Sequence, residues 1–339
     1  MPEPRAPTSA PDPAPLMALS TAHWGAQVLL TANRLGLFGL LADAACGADE
    51  LAKALSTEPR ATRLLLNACV GLGLLAADRD RYGLSPLAAA YLVPGRPGYL
   101  GDAFRYSDDL YTAWGRLGEA LASGHPVVAA ADYTGGEAER TRHFVYGMHN
   151  RALGIGGALL SLVDLGERRR LLDVGGGPGT YAALFARRHA DLRATVLDLP
   201  GVAEIGVEIV AAMGVGDRVH HQSGDYKTTA FPVGHDAVLI SGVFHRETEA
   251  GCRDLINRAA AALAPGGLLI VSDVFTDAGG AEPVFAALFG LNMLLTADDG
   301  GVHADADVVQ WCSDAGFTRV QRCSFPPPMP HRVVTGVRS

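Results

Sequence analysis

The chain lacks the marks of a metal protein, a membrane protein or a nucleic-acid binder. Its five cysteines, Cys46, Cys69, Cys252, Cys312 and Cys323, are scattered, with no C-x-x-C pair and no Cys/His cluster at zinc spacing. An odd count excludes complete intramolecular pairing, and isolated thiols read as small core residues in a reducing cytosol. No dense Lys/Arg run occurs and the formal net charge is −8, which opposes nucleic acid, whose binding rests on neutralising phosphates. No apolar run reaches the ~18–20 residues of a membrane span. The N-terminus has no basic segment followed by an apolar one, so a secretory signal is not expected and the location reads as cytoplasmic. Residues 1–15 hold six prolines and are expected to form a disordered tail.

What is present fits a globular enzyme. The 339 residues, 48% apolar and 19% charged, suffice for two domains with a good core. The chain is organised around residues 170–199, RLLDVGGGPGTYAALFARRHADLRATVLDL. A strand over Leu171–Val174 runs into a glycine turn, a helix over Thr180–Arg188 follows, and a second strand, Ala194–Leu197, ends in Asp198. Such a unit binds a nucleoside-containing cofactor. The glycines bring backbone close to a ligand, and Asp198 can accept both ribose hydroxyls. The dinucleotide pattern G-x-G-x-x-G would need a glycine where Thr180 stands. Gly175, Gly177 and Gly179, with Asp173 ahead of them, form instead D-x-G-x-G-x-G. A glycine-rich turn in another α/β fold stays open on this motif alone.

Four regions are expected: the tail 1–15, a helical dimerisation domain with a winged-helix pattern over 16–100, a helical linker and substrate-pocket region over 101–165, and a cofactor-binding domain over 166–339. Residues 16–45 are apolar on several helical faces, which calls for a second subunit or burial under the chain's own second domain. Helices over 48–55 and 60–72 and a hairpin turning at Asp78–Asp80 make the winged-helix pattern. Only Arg60 and Arg63 give the second helix positive charge, which disfavours a DNA-binding regulator. Residues 99–160 concentrate large apolar side chains, with a break at 123–126. From 168 onward strands and helices alternate, giving an α/β, doubly wound sheet of about seven strands that closes on an antiparallel pair, 318–324 and 332–337. The helix over 252–263 is expected to stop at Pro265-Gly266-Gly267, ahead of a strand ending near Asp273.

Asp198, Asp225, His245 and Asp273 all fall at or just past strand carboxyl ends, where such sheets bind ligands. Asp225 can accept an adenine amino group while Tyr226 lies on the base; a turn role is its alternative. A phenol's pKa is near 10 and a histidine's near 6.5, so His245 is the candidate general base, with Asp273 as its orienting carboxylate. The bland alternative for His245 is a solvated loop residue.

The motifs LGLF (35–38), LLDVGGGPGT (171–180), LDLP (197–200), GDY (224–226), His245 followed by a helix and APGG (264–267), and LNMLL (291–295) together cover about nine-tenths of the chain in order. On them the chain resembles the S-adenosylmethionine-dependent O-methyltransferases of the plant caffeate/flavonoid and bacterial polyketide type. The resemblance implies a homodimer through the N-terminal helices and S-adenosylmethionine as cofactor. It implies Asp173, Gly175, Gly177, Asp198, Leu199, Asp225, Tyr226, Ser241 and Arg142 around that cofactor. His245 stands as base with Asp273 beside it, and Phe144, Met148, Asn292 and Met293 in the acceptor pocket. No metal and no nucleic acid is implied. The chain departs from the family at Arg246-Glu247, where Asp-Trp is common, and at Ser241, where plant members have lysine. Its segment 300–304, Gly-Gly-Val-His-Ala, lacks the family's glutamate, leaving Asp273 as the one carboxylate for the base. The expected activity is methylation of a phenolic hydroxyl on a small aromatic acceptor. C- or N-methylation, or drifted non-methyl chemistry, are rivals on the same scaffold.

Overall fold

The computed structural model describes residues 11–128, 136–327 and 329–339. The chain forms two compact units, residues 1–108 and 109–339. Of the expected tail, residues 1–10 lie outside the described residues, and helix α1 already begins at Ala14.

The first unit is mainly helical. Helix α1 (Ala14–Arg34) has a proline in its first turn, where no backbone N–H is required. It buries Leu30, Ala32 and Asn33 yet leaves Leu16, Met17, Leu19 and Trp24 more than 60% exposed. Gly36, at φ +75°, makes the tight step into α2 (Leu37–Leu40). A short strand β1 (Cys46–Gly47) leads to α3 (Ala48–Leu55) and α4 (Pro59–Gly71). The Glu58 carboxylate caps α4 by accepting from the Arg60 and Ala61 amides. A hairpin of β2 (Leu75–Asp78) and β3 (Arg81–Leu84) follows, in a sheet of order β1-β3-β2. Helices α5 (Pro86–Tyr91) and α6 (Gly101–Asp109) complete the region. Leu37, Phe38, Leu51, Leu66, Cys69 and Tyr82 are its core. Arg63 of α4 stands 3.7 and 3.9 Å from Asp49 and Asp80, so acids surround the charge that a DNA-reading helix would need.

The second unit opens with α7 (Tyr111–Trp114), α8 (Leu117–Ser123) and the long α9 (Ala138–Leu162). Strand β4 (Arg170–Val174), α10 (Thr180–Arg188), β5 (Arg193–Asp198), α11 (Pro200–Ala212) and β6 (Val219–Ser223) form one half of the sheet. The other half comprises β7 (His235–Ser241), a 3₁₀ turn (Phe244–Arg246), α12 (Glu249–Ala262), β8 (Leu263–Val274), α13 (Val284–Thr296), α14 (Asp305–Asp314), β9 (Phe317–Ser324) and β10 (His331–Arg338).

The seven strands run in the order β6-β5-β4-β7-β8-β10-β9. The first five are parallel, and β10 is antiparallel to both β8 and β9. This is the doubly wound α/β sheet that the alternation of elements predicts. Strands β4, β7 and β8 are almost continuously apolar because helices cover both faces. The two cores, around Phe244 and Phe275 on one side and Leu171 and Phe185 on the other, are closed to solvent; each such side chain contributes ~1.5–3 kcal/mol on burial. Chain order reverses between β4 and β7, which places the ligand crevice beyond the ends of those two strands.

One local expectation needs correction. Pro265-Gly266-Gly267 does not separate a helix from a new strand: β8 begins at Leu263, immediately after α12, and carries this run within it. The extra residues are absorbed as a register shift, since His235 pairs with Leu263 but Ala237 with Leu268.

Candidate active site

The glycine turn after β4 has a backbone that only glycine adopts easily. Gly175, Gly177 and Gly179 all lie at positive φ, and a Cβ on Gly175 would stand 2.7 Å from Val243 Cγ2. At Gly177 a Cβ would meet nothing within 4 Å, so the peptide there faces open space.

Asp198 closes this turn from the next strand. One carboxylate oxygen accepts the Gly177 amide at 2.7 Å and the other accepts the Leu199 amide at 2.8 Å. Burial pushes its pKa up, and those two amides pull against it. Each oxygen keeps a further lone-pair direction for a vicinal diol. Asp173 lies beneath the turn, fully buried, and a Cβ on Gly176 would sit 2.5 Å from its carboxyl carbon. Neither Asp173 oxygen has a hydrogen-bond partner among the described residues. Burial first, and then the charge of Asp198, raise its pKa to about 7, while the Ala182 amide lowers it from beyond hydrogen-bonding geometry.

After β6, Asp225 accepts the Lys227 amide at 2.8 Å, which fixes the loop. The Tyr226 ring lies about 3.5 Å from where a Gly175 Cβ would be, so it borders the glycine turn. Its hydroxyl donates to Glu247 Oε1 at 2.7 Å. Ser241, at the end of β7, has its hydroxyl beside that of Tyr181. Arg142 stands on α9, where Glu208 holds its guanidinium at 2.9 Å and the Tyr146 ring lies 5.0 Å beneath it.

His245 sits in the 3₁₀ turn between β7 and α12. Its Nδ1 is 2.7 Å from Asp273 Oδ1, and its backbone amide donates to Asp273 Oδ2 at 3.3 Å. Asp273 is 2% exposed and also accepts the Val274 amide at 2.7 Å. Burial alone would raise the Asp273 pKa, but the neighbouring imidazole and these hydrogen bonds outweigh it and hold the carboxyl below the ordinary aspartate value. An ionised carboxylate only accepts, so Nδ1 carries the proton and Nε2 of a neutral ring carries the lone pair.

Three residues not anticipated from the sequence complete this half of the site. The Phe289 ring lies edge-on to His245, with centroids 5.0 Å apart, and stacks on Phe285 at 6.0 Å. Helical spacing from Asn292 and Met293 points back to Phe289, at i−3 and i−4, so periodicity could have found it. Met293 is buried, and Asn292 Oδ1 accepts the Trp114 indole N–H at 3.0 Å. His303, in the segment that lacks the family glutamate, places Nε2 at 3.1 Å from the Phe244 carbonyl and 2.9 Å from the Glu247 carbonyl. It bridges the two ends of the turn that holds His245, and the Gly301 amide donates to the His245 carbonyl at 2.9 Å. Glu247 is the third, a buried carboxylate. No spacing rule pointed to His303 or Glu247. Phe144 packs beside Val145, Val202, Ile205 and Ile209. Met148 is half-buried one turn further along α9.

Together these groups fit an adenosyl sulfonium cofactor. A diol acceptor stands at Asp198, an aromatic ring at Tyr226, and an unsatisfied carboxylate under the turn, with acidic groups suited to a cation. Among the described residues no group of three His, Cys, Asp or Glu side chains could hold a metal.

Comparison with known proteins agrees with an S-adenosylmethionine-dependent enzyme. An O-methyltransferase domain matches residues 114–318, and an O-methyltransferase dimerisation domain matches residues 17–94. The chain is 35% identical to a 3-hydroxy-5-methyl-1-naphthoate 3-O-methyltransferase of Streptomyces sahachiroi, over 96% of each chain. It is 36% identical to a tetracenomycin polyketide synthesis 8-O-methyl transferase of Streptomyces glaucescens, over 91% of this chain and 92% of that one. An N,N-dimethyltransferase of Streptomyces rimosus is 32% identical over 89% and 90%. Human N-acetylserotonin methyltransferase, solved in complex with SAM, shares the fold at a TM-score of 0.87 and 23% identity, over 98% of this chain and all of that one. The chain belongs to the S-adenosylmethionine-dependent O-methyltransferase family.

Proposed function

We propose that the protein methylates a phenolic hydroxyl on a fused-ring aromatic acceptor, with His245 as general base. The observation that carries this is the 2.7 Å contact between His245 Nδ1 and the buried, ionised Asp273, which sets Nε2 as the proton acceptor. Two relatives whose names specify a naphthoate and a polyketide support the acceptor class.

S-adenosylmethionine supplies a methyl group on a positively charged sulfur. The chain's own residues bind, align and deprotonate. Asp198 takes the ribose hydroxyls, Asp225 and Tyr226 flank the adenine, and Gly175, Gly177 and Leu199 lend backbone at the turn. Asp173 and Ser241 line the methionine side, and Arg142 serves its carboxylate by exchanging Glu208 for it. Asn292, Met293, Met148 and Phe144 belong to the acceptor pocket, with Phe289 as the wall nearest the base. His245 Nε2 would take the phenolic proton and Asp273 would stabilise the imidazolium, while the bound sulfonium would give up its methyl group to the phenolic oxygen and leave as S-adenosylhomocysteine. A positioned base contributes ~10²–10⁴-fold and alignment the equivalent of ~7–11 kcal/mol.

The enzyme is proposed to work as a cytoplasmic homodimer through the N-terminal helices. The dimerisation-domain match and the exposed Leu16, Met17, Leu19 and Trp24 support the dimer; five free cysteines suit a reducing compartment. The N,N-dimethyltransferase relative favours a second reading, transfer to nitrogen on the same scaffold. A screen of hydroxynaphthoates, polycyclic phenols and aromatic amines with methyl-labelled S-adenosylmethionine separates the two. Label on phenolic oxygen supports the proposal; label on nitrogen or carbon replaces it.

A further inference from the structure

The carboxylate of Glu247 is 6% exposed, and it is neither at the base nor on the glycine turn. A buried charge is costly unless it is paired and hydrogen-bonded, and this one is. Its Oε1 accepts the Tyr226 hydroxyl at 2.7 Å and faces Lys227 Nζ at 3.0 Å. Lys227 also reaches Asp299, at 3.8 Å, in the loop after α13. The first turn of α12 closes over the other oxygen: a Cβ on Gly251 would come within 2.9 Å of Glu247 Oε2.

Glu247 directly follows the 3₁₀ turn that carries His245. Its backbone carbonyl is one of the two that share His303 Nε2, the other being that of Phe244. One residue therefore grips the adenine-flanking tyrosine with its side chain and the far end of the base's turn with its backbone. The connected path runs from the glycine turn to Tyr226, Glu247, His303 and the backbone on either side of His245. Burial and the bond to Glu247 push the Tyr226 pKa up, so its hydroxyl remains a donor at any working pH.

We propose that Glu247 is a positioning residue that couples the adenine side of the cofactor site to the orientation of His245, so that a change at Tyr226 is felt at the base. This rests on the proposed roles of Tyr226 and His245, and its test is chosen to stand apart from theirs.

The test uses the full-length protein with ¹³C-labelled histidine, without cofactor or acceptor, so that no ligand touches the imidazole. The His245 ring signal is identified by its loss in His245→Gln. Tyr226→Phe keeps the ring and removes the hydroxyl; Glu247→Leu removes the acceptor; Glu247→Gln keeps an oxygen to receive the tyrosine. The expected result is that Tyr226→Phe and Glu247→Leu move the His245 signal in the same way. The double variant then moves it no further than either single one, because both break one contact. Glu247→Gln is expected to hold the wild-type position. An unmoved His245 signal in Tyr226→Phe overturns the coupling, as do additive shifts in the double variant. If Glu247→Leu fails to fold, Tyr226→Phe with Glu247→Gln decides. Calorimetry with S-adenosylhomocysteine is run alongside. A wild-type protein that does not bind it sinks the cofactor reading and leaves the free-protein result intact.

Discussion

His245 Nδ1 and Asp273 Oδ1 stand 2.7 Å apart at the ends of neighbouring parallel strands, with the Asp273 carboxylate also taking the backbone amides of His245 and Val274. One carboxylate thus fixes the ring, its tautomer and the backbone behind it. The sheet supplies this geometry: β7 and β8 lie side by side, Ser241 opposite Ser272, so the residues just past each end meet on the rim.

Asp273→Asn tests that carboxylate through stability. The folded pKa of Asp273 lies below its ordinary value, so its contribution is complete above the unfolded value and is lost as pH falls through the folded one. At pH 7 the variant is expected to unfold ~1–3 kcal/mol more easily in urea, the usual cost of depriving buried donors of their charged acceptor. The gap between variant and wild type should begin to shrink below about pH 4 and narrow further as pH falls. A gap that is the same at pH 3 and pH 7 contradicts the assignment.

Asp173 gives the opposite sign. Its pKa is raised to about 7 by burial and by Asp198, so the folded state binds the proton more tightly than the unfolded chain does. Without cofactor, wild-type stability should therefore fall as pH rises from about 4 to 7. Asp173→Asn removes the buried charge. Its Tm is expected to exceed that of wild type by several degrees at pH 8, at about 2–4 °C per kcal/mol for a chain of this size, and to match it near pH 4. The cost should appear in weaker S-adenosylhomocysteine binding. An equal Tm difference at both pH values rules this account out.

His303→Ala removes the N–H that the Phe244 and Glu247 carbonyls share. The expected loss of stability is ~1–3 kcal/mol, the cost of a buried acceptor left without its donor. Methyl transfer should fall while S-adenosylhomocysteine affinity stays within about threefold, or ~0.7 kcal/mol. Equal losses in transfer and cofactor binding would mean that His303 supports the whole rim rather than the base's turn.

Much of the fold was legible from local pattern. Apolar runs such as AVLIS and LLIVSDVF, each followed by a polar residue at a strand end, marked the sheet and its rim. That Asp198, Asp225, His245 and Asp273 lie along one rim of the sheet was readable because the carboxyl ends of parallel strands share one edge. The Pro265-Gly266-Gly267 break was misread because a bulge and a turn use the same residues, and only the pairing of β8 with β7 distinguishes them. His303 was invisible for another reason. Its role depends on two carbonyls more than 55 residues away in sequence, and segment 300–304 registered only as a missing acid. Glu247 also registered as a departure, because a buried carboxylate cannot be told from an exposed one until its tyrosine and lysine are in place.

The central claim is that His245 removes the acceptor proton. It is tested most directly by comparing methyl transfer from labelled S-adenosylmethionine to a hydroxynaphthoate, from pH 6 to pH 9, for wild type and His245→Ala. The variant should lose ~10²–10⁴-fold at pH 7 and recover toward pH 9 as the phenol ionises by itself, with S-adenosylhomocysteine binding little changed. A variant that turns over within a few-fold of wild type across this range would show that His245 is not the base.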